Sequence, residues 1–155
     1  DVHLGKLARL LRLLGFDCLY DNHYDDSEIV NIALEEDRII LSRDRGLLKR
    51  KAVSHGYCVR SDDPIEQAGE VLRRFDLENY IRPLSRCTSC TGFIREVPKE
   101  EIEEEIEPKT RKYYQRFFRC ENCGKIYWRG AHYERIIERI QSVLKASGFD
   151  AESGE

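Results

Sequence analysis

Methionine is absent from this chain of 155 residues, tryptophan occurs once and proline four times. Because no initiator methionine is present, we expect a processed or truncated start, with residues missing ahead of Asp1. No apolar run approaches the roughly 20 residues that a membrane-spanning helix needs. The opening residues also lack the basic and apolar regions of a signal peptide. These absences predict a cytoplasmic protein with no membrane partner.

An excess of one charge is also missing, since 26 Lys and Arg residues stand against 29 Asp and Glu residues and the net charge is -3. This balance argues against a chain that binds polyanions over its whole surface, although an average leaves room for local patches. The length suits one domain, or one domain with a small module.

The first half of the chain alternates short apolar runs with amphipathic helical patterns. We predict strands at residues 16–20, 39–41 and 57–60, and helices ahead of and between them and after the last. The first helix carries leucines on one stripe and a basic face of Lys6, Arg9 and Arg12 on another. Alternation in steps of about 20 residues predicts a parallel α/β sheet with helices on both faces. A further strand ahead of Asp1 would complete it.

Aspartates follow the predicted strands. Asp44 comes after the central strand, Asp62 after the last, and Asp1 would end the missing one, while Asp26 lies at the mouth of the second helix. Carboxyl ends of parallel strands share one sheet edge, so these carboxylates would converge there. Such a cluster suits Mg²⁺ or Mn²⁺, which can activate water for phosphoryl displacement. The alternative is that each aspartate only caps a helix.

Two matched cysteine pairs open the second half, Cys87-x-x-Cys90 and Cys120-x-x-Cys123. Each pair can form one knuckle around a tetrahedral zinc ion, and four cysteines leave no open coordination position, so the zinc would be structural. Disulfides are the alternative in an oxidising compartment. Within the long spacing between the pairs, residues 98–108 contain six glutamates, and we interpret this segment as a solvated helical insertion. Cys18 and Cys58 are expected to be core residues.

A basic and aromatic stretch follows the acidic insertion. Cations that suit phosphates alternate there with rings on which bases could stack, so RNA is a natural ligand; the cations are Lys109, Arg111, Lys112, Arg116, Arg119, Lys125 and Arg129. The alternative is that Phe117, Phe118 and Tyr127 form the small core of the ribbon. His132 is a candidate general acid or phosphate contact, and the alternative is a capping or hydrogen-bonding group. A final apolar helix that ends near Gly148 should dock on the first half.

The residues together resemble the Mut-seven C-terminal RNase domain family, whose members are PIN-like nucleases fused to a zinc ribbon. The resemblance covers residues 1 to about 140 and rests on five stretches, namely residues 1–17, Ile40-Leu41-Ser42-Arg43-Asp44, Arg60-Ser61-Asp62-Asp63-Pro64, Arg86-Cys87-x-x-Cys90, and Cys120-x-x-Cys123-Gly124 with Tyr127-Trp128-x-Gly130-x-His132. It implies a PIN-like α/β sandwich and metal-dependent RNA cleavage. The family's acidic residues match Asp1, Asp26 and Asp44, and Asp62 matches more loosely.

We therefore expect a PIN-like nuclease domain at residues 1–84, and a zinc ribbon with the acidic insertion and the C-terminal helix at residues 85–150. The predicted function is metal-dependent hydrolysis of RNA, single-stranded or structured such as tRNA or rRNA, with Asp1, Asp26, Asp44 and Asp62 as ion ligands. The expected RNA contacts are Lys6, Arg9 and Arg43 near the carboxylates and Trp128, Arg129 and His132 on the ribbon. The alternative is a non-catalytic module that binds RNA or a ribonucleoprotein, and a phosphatase is a third class.

Overall fold

The computed structural model describes residues 3–148 and contains a mixed α/β fold with one parallel and one antiparallel sheet. Its helices are α1 (Gly5–Leu13), α2 (Asp26–Glu36), α3 (Arg45–Leu48), α4 (Pro64–Phe75), α5 (Lys99–Ile102), α6 (Pro108–Tyr113) and α7 (Tyr133–Ala146). Its strands are β1 (Ile40–Ser42), β2 (Gly56–Cys58), β3 (Ile94–Val97), β4 (Phe117–Cys120) and β5 (Ile126–Tyr127), and 3₁₀ turns lie at Glu78–Tyr80 and Glu103–Glu105.

The parallel sheet consists of β1 and β2, with Ser42 opposite Cys58 at its carboxyl end. These strands overlap the ones predicted at residues 39–41 and 57–60, although β2 ends earlier, at Cys58. The predicted strand at residues 16–20 is wrong, because this segment pairs with no strand in the described part of the chain. A cavity of about 510 Å³ lies between it and β1. The wider PIN-like sandwich therefore stays a prediction.

The main core lies between α1, α4 and α7. The leucine stripe of α1 packs against Ala68, Val71 and Leu72 of α4, and Ile140 and Val143 of α7 close the cluster. Gly69 allows the two later helices to approach closely, since a Cβ there would lie 2.8 Å from the carbonyl carbon of Ala146. The predicted docking of the last helix on the first half is confirmed. The division into domains at residues 1–84 and 85–150 stays a prediction.

A smaller core joins α2 to the other face of the parallel sheet. Val30 of α2 packs with Ile40 of β1 and Leu47 of α3. Leu41 and Tyr57, which alternate with these positions along the strands, pack against the main core instead. Helices thus cover both faces of the parallel pair. The helix predicted between β1 and β2 is present but short, since α3 ends at Leu48.

The second sheet is antiparallel in the order β3-β4-β5. Phe117 is fully buried in it with Val97 and Ile102, so the prediction that part of the aromatic stretch forms the ribbon core is confirmed for Phe117. The acidic insertion is not simply a solvated helix. Ile102 anchors it in the ribbon core and Ile106 packs alongside, because burial of these apolar side chains is favourable, while most of the glutamates stay exposed to water.

None of the helices between His3 and Gly148 has the length and apolar character needed to cross a membrane.

Candidate functional site

Asp44 lies two residues beyond β1, at the carboxyl edge of the parallel sheet. The buried hydroxyl of Ser42 accepts the amide of Asp44 at 2.9 Å and fixes the turn. The Asp44 carboxylate then caps α3, and its Oδ1 accepts the amides of Gly46 at 2.8 Å and Leu47 at 3.4 Å. Asp44 is therefore a helix cap, as the alternative interpretation of the aspartates expected. Both bonds reach Oδ1, however, and no described hydrogen bond reaches Oδ2.

The loop after β2 repeats this arrangement with the same spacing, in Ser61-Asp62-Asp63. The hydroxyl of Ser61 accepts the amide of Asp63 at 3.1 Å, and Asp63 caps α4 by accepting the amide of Glu66 at 3.0 Å. The helix cap is therefore Asp63, whereas Asp62 is exposed just ahead of it. Capping does not account for Asp62.

Glu70 holds this loop in place. Its carboxylate accepts the Tyr57 hydroxyl at 2.9 Å and the amides of Arg60 at 2.9 Å and Ser61 at 2.8 Å. Burial raises the pKa of Glu70, but the hydrogen bonds from Ser61, Arg60 and Tyr57 outweigh it and lower that pKa below its usual 4.5. The charged carboxylate thereby fixes the backbone that presents Asp62.

Asp26 lies in the first turn of α2, and the cap of that helix is Asp25, which accepts the amide of Glu28 at 2.8 Å. Asp26 instead pairs with Arg50, whose Nη2 lies 3.6 Å from its Oδ2. Asp1 lies outside the described residues. Within residues 3–148 the aspartates form no group of three or more close enough to share an ion. A carboxylate cluster at this edge therefore stays a prediction.

The structure brings together the sulfurs of Cys87, Cys90, Cys120 and Cys123, all within 4.8 Å of one another. The Sγ atoms of Cys87 and Cys123 are 3.7 Å apart, and those of Cys90 and Cys120 are 3.4 Å apart. Zinc–sulfur bonds of about 2.3 Å in a tetrahedron require sulfur–sulfur edges of about 3.8 Å. Four thiol donors at these separations fit a structural zinc ion.

The surroundings of the sulfurs favour thiolates at some positions. Burial raises the pKa of Cys90, but hydrogen bonds from Asn122 and the Gly92 amide outweigh it and lower that pKa to about 6. At Cys123 the Lys125 amide lowers the pKa, but burial and the neighbouring sulfurs together raise it to about 12. Four sulfurs packed this closely resist simultaneous ionisation, which a divalent cation would relieve.

Gly92 is required where the two knuckles meet. A Cβ at this position would lie 2.8 Å from the Cβ of Asn122 and 2.9 Å from the Cys120 sulfur. Tyr127 supports the first knuckle, since its hydroxyl lies 3.0 Å from the Cys87 sulfur and accepts the Thr88 amide at 3.3 Å. The interpretation of Tyr127 as a stacking ring or a core residue therefore missed its polar role beside the sulfurs.

The first knuckle is bound to the segment after α1. Arg12 is buried, and it donates through Nε to the Cys18 carbonyl at 2.8 Å and through Nη1 to the Thr88 carbonyl at 3.0 Å. The prediction that Arg12 belongs to an exposed basic face is wrong, because these carbonyls draw it into the interface. Lys6, Arg9 and Arg43 are exposed as expected.

The acidic insertion neutralises part of the basic stretch. Arg116 forms a bidentate pair with Glu96 at 2.9 and 3.1 Å, and Arg119 pairs with Glu105. Arg111 donates to the Glu103 carbonyl at 3.2 Å. The first pair lies across the strands β3 and β4, and the other two contacts reach the 3₁₀ turn of the insertion. These three arginines are therefore less available to phosphates than expected.

Trp128 remains partly accessible beyond the ribbon core. It is 39% exposed and tilts against Phe117 with ring centroids 6.2 Å apart. A Cβ on Gly130 would lie 2.8 Å from the Trp128 Nε1, so the glycine leaves room for the indole. Arg129 stacks over Tyr133 at 5.1 Å. His132 is exposed at the start of α7 and makes no capping hydrogen bond through its side chain, so the capping alternative for His132 is wrong.

A family model for the Mut7-C RNAse domain matches residues 1–140 of this chain. The chain belongs to the Mut7-C RNAse domain family. No significant match was found among curated proteins or among solved structures.

Sequence reasoning about this Mut7-C chain missed four supporting residues, namely Ser42, Ser61, Glu70 and Thr91. The repeated pattern Ser-x-Asp, at Ser42-Arg43-Asp44 and Ser61-Asp62-Asp63, was the available signal for the first two, because a serine hydroxyl commonly accepts an amide two residues on. Glu70 and Thr91 gave no local signal, since their partners come from other elements.

Proposed function

We propose that this protein is a metal-dependent ribonuclease that hydrolyses RNA phosphodiester bonds at Asp1, Asp26, Asp44 and Asp62. The observation that carries the proposal is the parallel pairing of β1 with β2, in a chain of an RNase domain family. Because Ser42 and Cys58 are opposite each other, the loops that bear Asp44 and Asp62 leave the sheet at the same edge.

The caps of α2 and α4 distinguish structural carboxylates from candidate catalytic ones. Asp25 and Asp63 cap helices with their side chains, while their neighbours Asp26 and Asp62 do not. Asp44 combines a cap through Oδ1 with an outer oxygen, Oδ2, that no described hydrogen bond occupies. These three carboxylates offer the hard oxygen ligands that Mg²⁺ and Mn²⁺ prefer. When bound, such an ion would supply an activated water and stabilise charge on the phosphate.

The protein's own groups would hold and orient the substrate. Lys6, Arg9 and Arg43 are exposed cations suited to phosphate oxygens. Trp128 offers a ring face for an unpaired base, with Arg129 and His132 beside it in the sequence. The Cys87, Cys90, Cys120 and Cys123 cluster would bind a structural zinc ion and fix the ribbon that carries these side chains.

The alternative is a non-catalytic module that binds RNA or a ribonucleoprotein through the ribbon. It is favoured by the exposed Trp128 and by the lack of any close group of three aspartates within residues 3–148. The two proposals differ in whether RNA is cleaved when Mg²⁺ or Mn²⁺ is present.

The test is cleavage of labelled single-stranded and tRNA-like RNA by the zinc-loaded protein with Mg²⁺, Mn²⁺ or no added divalent ion. Asp44→Asn should abolish cleavage and keep the fold, because asparagine is also a good helix cap. Asp25→Asn is the matched control, since Asp25 is a capping aspartate outside the proposed site. Equal turnover by Asp44→Asn and the unmodified protein would refute the site. No cleavage by the unmodified protein, with salt-sensitive RNA binding, would support the non-catalytic module.

A further inference from the structure

A second groove lies beside β2, and its volume is about 430 Å³. Its lining combines the strand residues Gly56 to Cys58 with side chains of α3 and α4. Since α3 and α4 pack on opposite faces of the parallel sheet, a groove lined by both passes around the outer edge of β2. β2 has no partner strand on that side among the described residues.

Four cations line this groove, namely Arg45, Lys49, Arg60 and Arg74, and no aspartate or glutamate lines it. All four are exposed, and none is in an ion pair with a described carboxylate. Glu70 is electrostatically coupled to Arg60, but its oxygens already accept the Tyr57 hydroxyl and two backbone amides. The groove therefore presents a positive surface in a chain whose net charge is -3.

The groove begins next to the candidate catalytic edge. Arg45 directly follows Asp44, and Arg60 precedes Asp62 by two residues. From there the lining extends along β2 to Gly56 and along α3 to Lys49. At about 3.3 Å per strand residue, the run from Arg60 to Gly56 is about 13 Å long, which is longer than a single phosphate group. An extended polyanion fits this shape better than a small one.

We propose that this groove, lined by Arg45, Lys49, Arg60 and Arg74, binds the phosphodiester backbone of the RNA on one side of the bond that is cleaved. The inference rests on the proposed ribonuclease function and extends it, because it gives the path of the strand away from Asp44 and Asp62. Its chemistry is electrostatic and independent of base sequence, since cations neutralise phosphates whatever the bases are.

The test measures RNA affinity as a function of salt concentration, with no added divalent ion so that binding is observed without cleavage. The variant is Lys49→Gln with Arg74→Gln, because both side chains are exposed and neither belongs to the proposed catalytic set. The matched control is Arg139→Gln with Lys145→Gln, which removes the same number of positive charges from exposed positions of α7. A second variant, Lys49→Arg with Arg74→Lys, keeps both charges.

Each single-stranded phosphate contact contributes about 0.7 to the slope of log affinity against log salt. We therefore expect the groove variant to bind more weakly, with a slope smaller by about 1.4, while the control and the charge-keeping variant behave like the unmodified protein. An unchanged slope in the groove variant would overturn the inference and leave the catalytic proposal intact. Conversely, a reduced slope in a protein that cleaves no RNA would support the groove while the ribonuclease proposal fails.

Discussion

The amide of Cys18 donates a hydrogen bond of 2.9 Å to the hydroxyl of Thr91, which is 73 residues further along the chain. Thr91 is buried within the first cysteine knuckle and has a φ of 65°, a conformation that β-branched residues rarely adopt. The strain at Thr91 coincides with a structural role, because its hydroxyl satisfies the backbone amide of Cys18 in the first half of the chain. The knuckle that would bind zinc is thus attached directly to the segment that follows α1.

Thr91→Val should destabilise the protein although it keeps the shape of the side chain. It leaves the Cys18 amide without a partner in a partly buried site, and we expect a loss of about 1–3 kcal/mol in the free energy of unfolding. Urea unfolding of the zinc-loaded protein measures this loss. Thr110→Val, at a partly exposed position of α6, is the control and should change stability by less than about 1 kcal/mol. Equal stability of the two variants would show that the bond to Cys18 contributes nothing.

Asp62 and Asp63 are adjacent but should respond differently to substitution. Asp63→Ala removes the cap of α4 and should lower the free energy of unfolding by about 1 kcal/mol while metal-dependent cleavage persists. Asp62→Ala should leave stability within about 0.5 kcal/mol and reduce cleavage, because this exposed carboxylate is proposed as an ion ligand. Urea unfolding and RNA cleavage measured on both variants test the assignment. The reverse pattern would make Asp63 the functional residue.

The sequence predicted those features whose signals are local. Pro64 with Asp63 and Glu66 indicated the start of α4, and the apolar run at residues 39–41 indicated β1. The cysteine spacing predicted a four-sulfur site, which the structure brings together. Alternating Phe16, Cys18 and Tyr20 also resembled a strand, but a strand forms only where a partner backbone is available. Here Arg12 and Thr91 satisfy the backbone of Cys18 instead.

The carboxylate site could be predicted only in part. Asp44 caps α3 and is also proposed as an ion ligand, and the sequence could not separate the two roles, since an aspartate that follows a strand suits both. The structure assigns the cap to Oδ1 and leaves Oδ2 open, so the two roles are compatible. The pairing of Arg116 with Glu96 could not be predicted from the sequence either, because it depends on the register of β3 against β4.

Ile102→Ala should show that the acidic insertion is a packed part of the ribbon. Ile102 is fully buried against Val97 and Phe117, so truncation should lower the free energy of unfolding by about 2–5 kcal/mol. Ile39→Ala is the matched control. Because Ile39 is 47% exposed, its truncation should lower the free energy of unfolding by about 1 kcal/mol or less. Urea unfolding of both variants gives the comparison. A small loss at Ile102 would restore the interpretation of the insertion as a solvated helix.

Glu70→Gln should make stability less dependent on pH. Because the pKa of Glu70 is lowered in the folded state, its contribution is present above its usual pKa of 4.5 and is lost as the pH falls through the folded value. Glutamine lacks the charge and one of the two acceptor oxygens that hold the amides of Arg60 and Ser61. At pH 7 the variant should therefore be less stable by about 1–2 kcal/mol.

This difference should shrink as the pH falls from 4.5 through the lower pKa of folded Glu70, because the carboxylate becomes neutral over that range. Urea unfolding of the unmodified protein and of Glu70→Gln between pH 7 and pH 3 measures the difference. The control is Glu138→Gln, at an exposed position on α7, which should show no such trend. A difference that stays constant over this range would mean that packing, and not the charge of Glu70, holds the loop that carries Asp62. In that case the position of Asp62 would not depend on the charge of Glu70.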